Sequence, residues 1–139
     1  MKSSRFCCFV VVGAVLTAAI FGLGAASSGP ELRLFGPNSL AEIRTANRDR
    51  PFIVAFWSLH CAPCKDDIAL LAAAHRRYPQ VPIHLVAADG PNEHAEVARF
   101  LAPLALGRIG RWAFADDFSE RIRYSVDPGW QGELPRAYF

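Results

Sequence analysis

The 139-residue chain contains little methionine, little cysteine and almost no excess charge. Its single methionine is the initiator, so it has no methionine-rich tract of the kind that binds copper. Lys and Arg number 15 and Asp and Glu 13, and 13 of each remain when Lys2 and Arg5 are set aside with the N-terminal segment. A neutral domain gives no electrostatic argument for nucleic acid as a partner. The sequence also has no internal repeat and no low-complexity tract.

The four cysteines fall into two pairs that are far apart in the sequence. Cys7 and Cys8 precede the hydrophobic stretch rather than ending it, so they do not form a lipoprotein cleavage box, and membrane-buried thiols are favoured over palmitoylation. Cys61 and Cys64 form a Cys-x-x-Cys motif. Structural zinc usually takes four tetrahedral ligands, and no second pair stands near this motif. Redox chemistry is therefore favoured over a metal site and over inert core cysteines.

The only long apolar run lies at the N-terminus, where residues 6–26 carry no charge. This run is longer than the roughly 7–15 residues of a signal-peptide core and reaches the roughly 20 that span a bilayer, while Ala-Ala-Ser after Gly24 resembles a cleavage site. Residues 1–27 are thus predicted to be a signal peptide or a membrane anchor. Lys2 and Arg5 place this end in the cytoplasm, so residues 28–139 are expected to be periplasmic or otherwise extracytoplasmic, as one small domain.

Residues 51–57 are a continuous apolar run with the length of a strand buried on both faces, and residues 81–88 are predicted to be a second buried strand. A helix is predicted between them, from Cys61 to a stop at Pro79, which gives a parallel pair with a helical crossover and an α/β fold. The sequence predicts further strands at 32–35 and 112–114 and after Pro135. It predicts further helices at 39–47, from an Asn92 cap through Leu101, and at 119–124.

The motif stands where the first buried strand gives way to the helix. Unpaired N–H groups and the partial positive charge of a helix N-terminus stabilise a thiolate at Cys61, which lowers its pKa below the roughly 8.5 of free cysteine. Cys64, one helical turn later, lies within reach for a disulfide and is expected to resolve a mixed disulfide formed at Cys61. Pro63 fits the first turn, where its missing N–H costs nothing, and stiffens the loop between the sulfurs.

The strand ending in Phe56-Trp57, the run Cys61-Ala62-Pro63-Cys64-Lys65, the strand ending in Asp89 and Leu134-Pro135 before a last strand resemble the thioredoxin superfamily. The closest likeness is to its TlpA-like and ResA-like membrane-tethered or periplasmic branch. This resemblance implies a thioredoxin-like three-layer α/β/α fold with a central mixed sheet. It also implies a cis Pro135 that forms a substrate ledge with Leu134, Trp57 packed beside the disulfide, and no cofactor beyond that redox-active disulfide.

Three departures from the family pattern carry expectations of their own. His60 stands where relatives usually have tryptophan, and it either lowers the Cys61 pKa further or is a neutral surface residue. Ala55 replaces a buried acid that helps to deprotonate the second cysteine, so Cys64 either loses its proton through water or exchanges slowly. The chain stops at Phe139, before the last strand and helix of the family, so a C-terminally incomplete domain is expected, with the strand after Pro135 at a sheet edge.

The leading hypothesis is a thiol–disulfide oxidoreductase that reduces protein disulfides, because Ala-Pro between the cysteines is closer to the Gly-Pro of reducing relatives than to Pro-His. Its expected partners are protein thiols and disulfides, a membrane dithiol electron donor, and the inner membrane if the N-terminal segment is retained. One alternative is a copper-handling protein that uses Cys61, Cys64 and His60. Another is a redox-inactive remnant. The remaining histidines are expected to be structural or solvated: His75, His84 and His94.

Overall fold

The structure is a computed structural model that describes residues 31–139. The predicted signal or anchor at 1–27 lies outside these residues. Within the described part of the chain, no helix combines the length and the apolar composition needed to cross a bilayer.

The described residues form five strands and four α-helices, which alternate along most of the chain. The strands are β1 (Arg33–Phe35), β2 (Ile53–Trp57), β3 (Ile83–Ala87), β4 (Gly110–Phe114) and β5 (Arg136–Tyr138). The helices are α1 (Ser39–Ala46), α2 (Ala62–Arg77), α3 (His94–Leu101) and α4 (Ser119–Val126), and a 3-10 turn (Pro91–Glu93) precedes α3. This content confirms the predicted α/β class.

All five strands belong to one mixed sheet in the order β1-β4-β3-β2-β5. The β1–β4, β4–β3 and β3–β2 pairs are parallel, and β5 runs antiparallel to β2. The two apolar runs that were predicted to be buried strands are β2 and β3, whose registers place Trp57 opposite Ala87. Strand β5 is an edge of the sheet in the described residues, as expected.

Successive side chains of a strand point to opposite faces of the sheet, and both faces are buried here. On one face, which we call the disulfide face, residues of α2 and α3 such as Ile68 and Val97 pack on the alternate strand residues Ala55, Trp57 and Leu85. The opposite face, which we call the aromatic face, is covered by α1 and α4 and is dominated by rings. Its buried aromatic side chains are Phe35, Phe56, Trp112, Phe114 and Trp130.

The predicted elements are all present, but some boundaries were wrong. Asn92 does not cap α3, because it lies within the 3-10 turn, and the residue at the N-cap is Glu93. Strand β4 starts at Gly110 rather than Trp112, and α4 continues to Val126. Side-chain periodicity gave the cores of these elements, whereas their ends depend on contacts with distant parts of the chain.

Candidate functional site

Cys61 and Cys64 form a disulfide at the N-terminus of α2, with their Cα atoms 5.3 Å apart. Cys61 is the N-cap residue in extended backbone conformation, and Pro63 is the second residue of the helix. The first turn of α2 contains no acidic side chain. No acidic side chain of α2 itself therefore offsets the partial positive charge of the helix end, which is available to stabilise a thiolate at Cys61.

The two sulfurs differ in their access to solvent. Cys64 is fully buried, at 0% relative exposure, and belongs to the core of the disulfide face. Cys61 is only partly buried and packs at the margin of the same core. A thiol reagent or a second protein can therefore reach Cys61 far more easily than Cys64. This asymmetry agrees with the roles of attacking and resolving cysteine that the motif predicts.

The turn that leads from β2 into the motif is held by a buried carboxylate, Asp89, which lies just after β3 and is 3% exposed. The Ser58 hydroxyl donates to Asp89 Oδ1 at 2.8 Å, and the Leu59 N–H donates to both carboxylate oxygens at 3.2 Å. Burial raises the pKa of Asp89, while these donors oppose that shift. The turn before Cys61 is thus fixed to the end of the neighbouring strand.

His60 does not stand free beside the disulfide. Its Nε2 lies 2.6 Å from Glu93 Oε1 on the 3-10 turn, and its side chain is 74% exposed. The hydrogen bond and the charge of Glu93 raise the pKa of His60. Because the carboxylate neutralises the imidazolium, the influence of His60 on the Cys61 pKa is weaker than its position in the sequence indicates.

A groove of about 290 Å³ runs along the disulfide face between α2 and β5. Trp57, Cys64 and Pro135 all line it, so three of the predicted site residues meet in one place. The Trp57 indole is 1% exposed and lies 5.3 Å from the ring of Phe100 between centroids. Leu134 is partly buried against both cores, and the Leu134–Pro135 peptide bond is cis, as the resemblance implies.

Ala55 stands at the position where the family resemblance would place a buried acid. Ala55 is 7% exposed and lines the groove beside Cys64, where its methyl group leaves room. Among the groove-lining residues, the acidic one is Asp67, one helical turn after Cys64 on α2. A carboxylate therefore lies along the groove on α2, and none stands at position 55.

Residues 31–139 contain one cluster of side chains with the donor types and spacing of a metal site. One group of three donors lies within 4.8 Å of one another in this part of the chain, namely His60, Asp89 and Glu93. These donors already bind each other or the turn: His60 is paired with Glu93, and Asp89 accepts from Ser58 and Leu59. The group contains neither cysteine, so the set Cys61, Cys64 and His60 proposed for copper gains no support from it.

Sequence reasoning missed Asp89 and Glu93 as parts of the site. Asp89 was interpreted as the end of a strand, and Glu93 only as part of the helix predicted after Asn92. Their partners are 30 to 33 positions away in the sequence. The available signal was topological, because the carboxyl ends of neighbouring parallel strands meet at one edge of a sheet and bring these residues to the motif.

Comparisons with protein families, with characterised proteins and with solved structures find no match for this chain. The candidate site therefore rests on its own geometry and on the resemblance carried by its motifs.

Proposed function

We propose that the chain is an extracytoplasmic thiol–disulfide oxidoreductase that reduces disulfides in other proteins. The observation that carries this proposal is the asymmetric disulfide, in which a partly exposed Cys61 at the start of α2 is bonded to a fully buried Cys64. A structural disulfide has no need for a helix N-terminus or for one reachable sulfur. A catalytic dithiol uses both, because one thiolate must attack an incoming disulfide while the other thiol stays protected until it resolves the mixed disulfide.

The reaction starts from the reduced dithiol. The Cys61 thiolate attacks one sulfur of a substrate disulfide, and the other substrate sulfur leaves as a thiolate that takes up a proton. The Cys64 thiol loses its proton and attacks the Cys61 sulfur of the mixed disulfide. The second substrate thiol is released and the Cys61–Cys64 disulfide forms, so two electrons pass to the substrate. A membrane dithiol carrier returns two electrons and restores the dithiol.

The proposal extends to a thioredoxin-like fold. Its support is the sheet order with an antiparallel β5, the helices on both sheet faces, and the placement of the disulfide at the carboxyl end of β2. Pro135, immediately before β5, lines the same groove as Cys64. Leu134 and Pro135 are proposed to contact the substrate, whereas Trp57, which is 1% exposed, supports the groove from within the core. Pro63 stiffens the loop between the sulfurs.

A redox titration of the full chain in detergent tests this function directly. Cys7→Ser and Cys8→Ser are introduced so that only the motif reports, and thiols are trapped with an alkylating mass tag. We expect one reversible two-electron transition near the thioredoxin value of about −270 mV. A transition near about −120 mV would instead identify an oxidant. The absence of any reversible transition would refute an oxidoreductase.

The two cysteine variants separate the proposed roles. Cys61→Ser is expected to reduce insulin no faster than the uncatalysed reaction, because the attacking thiolate is lost. Cys64→Ser should still attack, and it should accumulate a mixed disulfide with the substrate on a non-reducing gel. The serine variants at Cys7 and Cys8 serve as the matched control. A Cys61→Ser protein with wild-type insulin reduction would contradict the assignment.

A further inference from the structure

Asp89 is a buried charged group that the reaction above does not use. It follows β3 by two positions and is 3% exposed. An aspartate is rarely buried to this extent unless its carboxylate has partners. Its oxygens accept hydrogen bonds from Ser58 and Leu59, the two residues that follow β2. Both contacts are to the turn that carries the attacking cysteine, so this carboxylate is tied to the site.

The contacts continue from Ser58 to Cys61. The Ser58 hydroxyl oxygen, which donates its own proton to Asp89, accepts from the His60 N–H at 3.1 Å. The Ser58 carbonyl accepts from the Cys61 N–H at 3.1 Å. A continuous set of hydrogen bonds therefore joins the Asp89 carboxylate to the backbone of Cys61, and the position of the sulfur depends on it.

The charge of Asp89 acts on the same turn. The charged groups that face its carboxylate are His60 on the turn and Glu93 on the 3-10 turn, and these two neutralise each other. Asp117 lies against the adjacent Gly90, where an added Cβ would be 2.6 Å from its Oδ1. No cation in this set is left to offset Asp89. An ionised Asp89 thus places a negative charge against the turn at Ser58 and Leu59, two residues before the cysteine whose thiolate the helix N-terminus favours.

Resting on the proposed oxidoreductase function, we propose that Asp89 is a positioning residue that anchors the Cys61 turn to β3 and places a negative charge near the attacking sulfur. The charge makes the Cys61 thiolate less favourable. The reduction potential of the Cys61–Cys64 couple is therefore lower, and the dithiol a stronger reductant, than the helix end alone would make it. A reductase gains from this arrangement, because a stable disulfide product drives electrons toward the substrate.

The test compares Asp89→Asn with Ser58→Ala in the full chain that carries Cys7→Ser and Cys8→Ser. Asp89→Asn removes the charge and keeps the size of the side chain, whereas Ser58→Ala removes one link of the anchor and keeps the charge. The readouts are the pH midpoint of Cys61 alkylation by iodoacetamide in the reduced protein, the reduction potential, and the rate of insulin reduction.

For Asp89→Asn we expect the alkylation midpoint to fall by about half a pH unit, because the opposing charge is gone, with alkylation about threefold faster at pH 6. The reduction potential should become more oxidising. For Ser58→Ala the midpoint should not fall, but insulin reduction should slow by about threefold or more, because the sulfur is less well placed.

Each outcome bears on the proposal. If wild type titrates reversibly while Asp89→Asn keeps its midpoint and potential, Asp89 is merely structural and the proposal is overturned. If Asp89→Asn does not fold, Ser58→Ala decides alone, since a wild-type rate of insulin reduction would overturn the anchor. Failure of the oxidoreductase function itself is a different result, because wild type would then show no reversible dithiol at all.

Discussion

The two faces of the sheet are packed with different kinds of side chain. The aromatic face is filled by rings at close range, with Phe56 4.7 Å from Trp130 and 5.5 Å from Phe35 between centroids. The disulfide face has one fully buried ring, Trp57, within the described residues. It otherwise relies on aliphatic residues and on small ones such as Ala55 and Ala72, and it retains a groove of about 290 Å³. Large buried rings contribute most of the packing free energy of a small core.

The difference separates stability from reactivity within one small domain. The side chains of the aromatic face pack against β2. Strand β2 leads into the turn that carries the disulfide, which lies on the opposite face of the sheet. The disulfide face is less fully packed where Cys64 lines the groove. Under the proposed function, the resolving thiol would exchange its proton through this groove. We therefore expect substitutions on the aromatic face to cost free energy of unfolding, and those near the disulfide to change chemistry at smaller cost.

The sharpest contrast in stability compares Phe56→Ala with Leu71→Ala. Phe56 is 1% exposed and contacts rings on several sides, so its truncation leaves a cavity and should lower the free energy of unfolding by about 3–5 kcal/mol. Leu71 lines the groove and is partly buried, so its truncation should cost only about 1 kcal/mol. Urea unfolding of both variants measures the difference, and equal costs would break the comparison of the two faces.

Features of the two faces that depend on neighbouring residues in the sequence could be predicted, whereas those that depend on residues far apart in the sequence could not. Strands β2 and β3 were predictable because β2 is a continuous apolar run and β3 is apolar except for His84, and α2 was predictable from its motif and from the basic residues in its last turn. The sulfurs were located by their spacing alone. What could not be predicted from the sequence is that the end of β3 and the 3-10 turn lie next to the motif in the fold.

Histidines show the same limit. His84 was expected to be structural or solvated, and it is structural: its Nδ1 accepts from the Trp112 indole N–H at 3.2 Å. His60 was weighed as a cation beside Cys61, but its partner Glu93 lies 33 positions away and changes its electrostatic effect. Local sequence gives the type of group at a site, whereas its charge state depends on neighbours that only the fold supplies.

The next contrast concerns acid stability, through His84 on the aromatic side of β3. Burial, and secondarily the positive charge of Arg33, lowers the pKa of His84 to about 4. Because the unfolded imidazole binds its proton near pH 6.5, stability is full above that pH and falls as the pH drops from 6.5 toward 4. After a discount for partial exposure, we expect a loss of about 2 kcal/mol.

His84→Gln isolates this contribution, because the glutamine oxygen can still accept from Trp112 while the side chain cannot titrate. Urea unfolding at pH 7 and pH 4 should show that wild type loses about 2 kcal/mol more than the variant between these values. Titration of other groups is common to both proteins and cancels in the difference. Parallel losses in the two proteins would mean that His84 does not hold a lowered pKa.

The smallest effect is expected from the His60–Glu93 pair, which reverses the sign seen at His84. Glu93 raises the pKa of His60, so the pair stabilises the fold below pH 6.5 and the contribution is lost as the pH rises through the folded pKa. The His60 side chain is exposed to solvent and that of Glu93 is partly exposed, so we expect little change in the free energy of unfolding. The sensitive readout is the NMR titration of the His60 ring, whose midpoint should fall in Glu93→Gln because the main cause of the raised pKa is removed. A midpoint that stays at the wild-type value would show that Glu93 does not neutralise His60, and the cation beside Cys61 would then have to be counted in its reactivity.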